Sequence, residues 1–113
     1  MVPVELGYLT LNVADVERAR RFFGALFGWE FEGGPNGAHI KNTKLPIGLA
    51  PGGPVNIAFA YFKVTDIDAA MARARELGGS ARDRSESPSG LSAVCTDDQG
   101  TEFSLWQPAP GFE

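Results

Sequence analysis

The sequence predicts an α+β fold: two tandem βαβββ modules whose curved mixed sheets surround a cleft, with the helices packed on the outer face. Three observations carry this reading. First, the chain repeats itself. Thr10-Leu11-Asn12-Val13-Ala14-Asp15-Val16-Glu17 aligns with Tyr61-Phe62-Lys63-Val64-Thr65-Asp66-Ile67-Asp68, and the same offset sets Ala19 on Ala70, Leu26 on Leu77 and Gly28 on Gly79. Second, each copy runs strand, acidic cap, amphipathic helix and glycine stop. Third, each helix is followed by three short strand candidates separated by turn residues.

The first strand is expected over about 5–13. Leu9, Leu11 and Val13 alternate there with Tyr8, Thr10 and Asn12, the period of two that gives a strand two unlike faces. Asp15 stands where a helix N-cap belongs, and Glu17 adds negative charge near the positive helix end. Val16, Ala19, Phe23, Leu26 and Phe27 form the predicted buried stripe, Arg18, Arg20 and Arg21 the solvated face, and Gly28 the stop. Strands are then expected near 29–32, 38–42 and 45–50, with Gly33-Gly34-Pro35-Asn36-Gly37 as a loop.

In the second copy Ala58, Ala60, Phe62 and Val64 alternate with Phe59, Tyr61 and Lys63. Asp66 caps the helix, Ile67, Ala70, Ala74 and Leu77 face its core, and Gly78-Gly79 ends it. Three strands follow near 81–84, 91–96 and 101–107, the last two joined at Asp97-Asp98-Gln99-Gly100. Pro51-Gly52-Gly53-Pro54 joins the halves. The organisation read from this is a single domain over 1–113, with module one over about 1–51, module two over about 55–108 and a tail at 109–113.

Composition narrows the function classes. The 113 residues carry a net charge of −4, which disfavours a nucleic-acid partner, since counterion release needs a basic face. No apolar run approaches the roughly 20 residues of a membrane span. The lone Cys95 allows no intrachain disulfide and sits in an apolar run, so it reads as a buried structural thiol. The N-terminus shows neither a basic nor an apolar leader region, so a cytoplasmic location is expected.

The stretch from Asp15 to Phe31, DVERARRFFGALFGWEF, resembles the first-helix signature of the glyoxalase, bleomycin-resistance and dioxygenase (vicinal oxygen chelate) superfamily. The stretch from Asp97 to Pro108, DDQGTEFSLWQP, resembles its closing hairpin. The resemblance spans nearly the whole chain and is specific for fold rather than activity. It implies a homodimer. In metal-using members each module gives two ligands, one from its first strand and one from its last. Carried over, those positions are Tyr8 and Phe59 on the first strands, and about Leu49 and Ser104 on the last. Histidine, glutamine or glutamate is usual there; Phe and Leu offer no donor, and neutral Tyr and Ser are poor ligands for the usual divalent metals. The chain has one histidine, His39. No metal and no cofactor is therefore expected.

Strand alternation places Tyr8, Thr10, Asn12, Phe59, Tyr61, Lys63, Glu102, Ser104 and Trp106 on the cleft side, with Leu9, Leu11, Ala60, Phe62, Phe103 and Leu105 facing the helices. Aromatic area mixed with scattered hydroxyl and amide groups suits a small organic ligand. The preferred expectation is a metal-independent protein that binds or sequesters a partly aromatic molecule. One alternative is a metal-free lyase- or isomerase-type enzyme using Tyr8, Tyr61, Glu102 or His39 as acid–base groups. Another is a structural or regulatory partner whose cavity is filled by its own side chains. A metalloenzyme with ligands in another register is the remaining case.

Overall fold

The computed structural model describes residues 2–3, 8–53, 55 and 60–112. The chain divides into two compact units, Met1–Val55 and Asn56–Glu113, and each opens with a strand, then a helix, then a run of strands.

In the first unit β1 (Leu9–Asn12) leads into α1 (Val16–Phe27), followed by β2 (Phe31–Gly34), β3 (Gly37–Ile40) and β4 (Ile47–Ala50). The sheet order is β1-β4-β3-β2, with β1 parallel to β4 and the other pairs antiparallel. Asp15 caps α1 as expected, its carboxylate accepting from the Arg18 backbone N–H at 3.1 Å, and Gly28 closes the helix in the left-handed region at φ 71°.

Cross-strand rows sort the side chains. Leu11, Leu49 and Ala38 lie in one row, Leu9, Ile47 and Ile40 in another. All but the half-buried Leu9 are buried, as are Val16, Ala19, Phe22 and Phe23 of the helix. Phe22 extends the buried stripe beyond the sequence expectation, whereas Leu26 and Phe27 stay half-buried. Trp29 explains the latter: its ring sits 5.0 Å from Phe27 and 5.9 Å from Phe23, so the end of the stripe packs on aromatics rather than on the sheet.

The expected loop at 33–37 is shorter than read. Gly33 and Gly34 belong to β2 and Gly37 to β3, leaving Pro35 and Asn36 as a two-residue turn. Gly33 has φ 115°, and a Cβ there would lie 2.6 Å from the Gly37 carbonyl oxygen, so glycine is needed for tight pairing rather than for looseness.

The second unit runs β5 (Tyr61–Lys63), α2 (Ile67–Glu76), β6 (Ser80–Ala81), β7 (Ser85–Ser87), β8 (Gly90–Thr96) and β9 (Glu102–Pro108). Its sheet order is β5-β9-β8-β6, with β7 also paired to β8. The expected strand extensions over 5–7 and 58–59 lie outside the described residues. Asp66 caps α2 by accepting from Ala69 N at 3.1 Å, and the Gln107 amide oxygen takes Ile67 N at 2.9 Å. Met71, not singled out by the sequence, is buried with Ile67 and Ala74, while Ala70 and Leu77 are half-buried.

Four strands follow this helix instead of three. Ala81 pairs with Cys95 and Ser85 with Ser92, so four steps on one side match three on the other. Of the expected 81–84 strand only Ala81 is in β6, and β7 starts beyond it at Ser85; the extra residue between the two pairings acts as a β-bulge does. The core row of this sheet holds Phe62, Leu105 and Ala93, and beside it Phe103, Cys95 and Ala81. Cys95 is buried, and that burial pushes its thiol above the ordinary range, against a smaller downward pull from Arg75.

Residues 109–112 are tied down rather than frayed: Ala109 N donates to Ser89 O at 2.8 Å and Phe112 N to Ala109 O at 3.0 Å. Among the described residues no helix is long and apolar enough to cross a membrane.

Candidate functional site

The face of the first sheet opposite the core row carries Thr10, Gly48 and His39 side by side on β1, β4 and β3. Tyr8, just before β1, reaches over this row. Its hydroxyl lies 2.7 Å from His39 Nδ1, and the two rings meet edge-on at 6.0 Å and 73°. Gly48 makes room for this: a Cβ there would run into the Tyr8 hydroxyl. Tyr8, Thr10, His39 and Gly48 line a groove of ≈ 450 Å³ whose far wall is the Pro35–Asn36 turn. In the tautomer whose Nδ1 accepts from the phenol, the imidazole proton stands on Nε2 and gives a donor on the far side of the ring; in the other, Nδ1–H donates to the phenol oxygen.

This register corrects the first-module ligand position. Ser104 pairs with Tyr61, the repeat partner of Thr10, and Thr10 pairs with Gly48. The counterpart of Ser104 is thus Gly48, not Leu49, which pairs with Leu11 and faces the core at 2% exposure. One residue of slip moves a side chain to the opposite face.

The other expected pocket residues are placed within each unit taken by itself. Phe59 lies outside the described residues. Tyr61 and Trp106 line a separate groove of ≈ 290 Å³ on the second unit, with Ser87, Ser89 and Ser92. Ser104 sits between Tyr61 and Val94 and is buried. Asn12 is half-buried, its amide 2.7 Å from where a Cβ on Gly53 would be. Glu102 is held by Arg82 at 2.6 Å, in a solvated pair. Lys63 lines a third cavity, of ≈ 440 Å³, with Gln107, Pro108 and Pro110. The sequence offers His39 as one of several acid–base candidates; its place beside Tyr8 depends on the β3–β4 register, which the sequence does not display.

A metal does not fit the positions that would hold one. Gly48 has no donor, the Tyr8 hydroxyl is engaged by His39, and Ser104 is a neutral alcohol. Among the described residues, no three or more His, Cys, Asp or Glu come together in a way that could hold an ion.

Two successive units of a strand, a helix and three or more further strands, each with one curved mixed sheet, have the vicinal oxygen chelate architecture. The chain belongs to the glyoxalase-like domain family, whose model matches residues 8–106. It is similar to the fosfomycin resistance protein FosX of Mesorhizobium loti, with 20% identity, 96% of each chain covered and a TM-score of 0.72. It is similar also to TnmS3, an antibiotic binding protein from Streptomyces sp. CB03234, with 22% identity, 96% of this chain and 99% of that one covered, and a TM-score of 0.74. FosX of Listeria monocytogenes, solved with Mn(II) and sulfate, gives 18% identity, coverage of 96% and 94%, and a TM-score of 0.75. No curated protein matches the chain significantly. At these identities the likeness is one of fold.

Proposed function

We propose that this is a metal-independent binding protein that takes a partly aromatic organic molecule in the Tyr8–His39 groove. The observation that carries the reading is the hydrogen-bonded pair itself, set over Gly48, the register counterpart of Ser104. An aromatic ring can pack on the Tyr8 ring edge-on or offset, arrangements worth roughly 0.5–1.5 kcal/mol beyond area burial. A carbonyl or hydroxyl on the ligand can accept from His39 Nε2. The fold likeness to an antibiotic binding protein supports the same class of role. We place the protein in the cytoplasm as a homodimer, and native mass spectrometry tests subunit number and co-purified ligand together.

Titration against a panel of aromatic antibiotics and metabolites, read by melting temperature and calorimetry, tests the binding role. We expect at least one compound to give a saturable rise that His39→Ala abolishes. A panel that leaves the wild-type melting temperature unmoved sinks the reading.

The 2.7 Å contact also favours a second reading, in which Tyr8 and His39 exchange a proton with a bound substrate. General acid–base work contributes about 10²–10⁴ in rate. Turnover of a bound panel compound, lost in both Tyr8→Phe and His39→Ala, separates enzyme from binder.

A further inference from the structure

The groove on the second unit has a different chemistry from the one at Tyr8, and it shares no residue with it. It is lined by two aromatic side chains, Tyr61 and Trp106, and three hydroxyls, Ser87, Ser89 and Ser92. Tyr61 is 62% exposed, a large ring left in water. Trp106 is half-buried and fixed: its indole N–H donates to Ser89 O at 3.2 Å. Ser92 stands directly opposite Trp106 in the β8–β9 pair, and Tyr61 lies diagonally across β5–β9 from it. Ser87 Oγ and Ser89 Oγ are 3.0 Å apart. Among the described residues, no charged side chain lines the groove; Lys63, which pairs with Trp106 across β5–β9, lines the neighbouring cavity instead.

We propose that this groove is a second ligand site, for a neutral polyhydroxylated ring such as a single sugar unit. The absence of lining charge offers nothing to balance a phosphate, carboxylate or ammonium, whose desolvation would go uncompensated. A flat, purely aromatic ligand fits poorly for the opposite reason, because it would strip water from the serine hydroxyls and return no hydrogen bonds. A sugar ring matches both halves. Its C–H face packs on an indole held by a hydrogen bond, and its hydroxyls meet Ser92 and the remaining acceptor capacity of the Ser87–Ser89 pair. The volume, ≈ 290 Å³, lies just below the roughly 300–1,000 Å³ usual for small-molecule sites, which fits one ring rather than an extended ligand.

The test follows the Trp106 indole N–H resonance of the intact protein during titration with neutral mono- and disaccharides. Trp29→Phe assigns the two indole signals. The expected result is a saturable shift at Trp106 with at least one neutral sugar, absent in Tyr61→Ala and weakened roughly 2- to 10-fold in Ser92→Ala, the range one lost hydrogen bond gives. His39→Ala should leave this response unchanged, so its outcome is read separately from that of the Tyr8 groove. No saturable shift with any sugar up to its solubility limit overturns the proposal. So does a sugar phosphate that binds more tightly than its neutral parent.

Discussion

The Tyr8 hydroxyl and His39 Nδ1 lie 2.7 Å apart across the first sheet, joining a residue that precedes β1 to one in the middle of β3. Both side chains are largely exposed, so the bond does little to hold the fold. Tyr8→Phe should change unfolding free energy by no more than about 1 kcal/mol, while the affinity for the groove's ligand falls roughly 2- to 10-fold. Chemical denaturation and calorimetry on the same preparation check both halves. A loss of stability with unchanged affinity would show the pair to be structural.

Gly48 is the complement of that pair. A Cβ at this position displaces the phenol, but the atom it meets is the far end of a half-exposed side chain that can swing outward. Gly48→Ala is therefore expected to fold normally and to bind like Tyr8→Phe. The double variant should be no weaker than either single one, because both remove the same interaction. Additive losses in binding would mean that Gly48 acts on the ligand directly.

How much of this was legible in the sequence follows from the kind of signal each feature leaves. Asp15 and Asp66 are local: a carboxylate before an amphipathic stripe can be read within a few residues, and both cap as expected. The core alternation of Leu11, Phe103 and Leu105 is also local. The Gly48 register is not. It depends on which residue of β4 lies beside Thr10, and an apolar run such as Ile47-Gly48-Leu49-Ala50 has no alternation to fix that. The split of the pocket candidates between two grooves was hidden for the same reason. Tyr8 and Tyr61 look alike along the chain, but the residues that line a groove with each, Pro35, Asn36 and His39 in one case and serines in the other, come from distant segments.

The β8–β9 turn is held by a buried carboxylate. Asp97 is 2% exposed, and its Oδ1 accepts from Gln99 N and Thr101 N, each at 2.8 Å. Asp97→Ala leaves two backbone donors without that acceptor, for a cost of about 1–3 kcal/mol. Asp97→Asn keeps one acceptor oxygen in place and should retain most of the stability. Equal losses in the two variants, measured by urea denaturation, would mean that the negative charge rather than the hydrogen-bond geometry holds the turn.

Cys95 gives a prediction in pH. Burial raises its thiol above the ordinary range, so the folded protein favours the neutral form more than the unfolded chain does. The stability this contributes is fully present below the ordinary thiol pKa, about 8.5, and is lost as pH rises through the higher folded value. Tyrosines and lysines titrate in the same range, so the comparison that isolates the thiol is wild type against Cys95→Ala. Wild type should be the more stable at pH 7, because alanine leaves a small void beside Phe103 and Ala81, its partners across the sheet. That advantage should shrink steadily toward alkaline pH. The same burial makes the native thiol slow toward alkylating reagents and quick once urea unfolds the chain. A stability difference that stays flat across the alkaline range, together with rapid labelling of the native protein, would place Cys95 at an accessible site with an ordinary thiol.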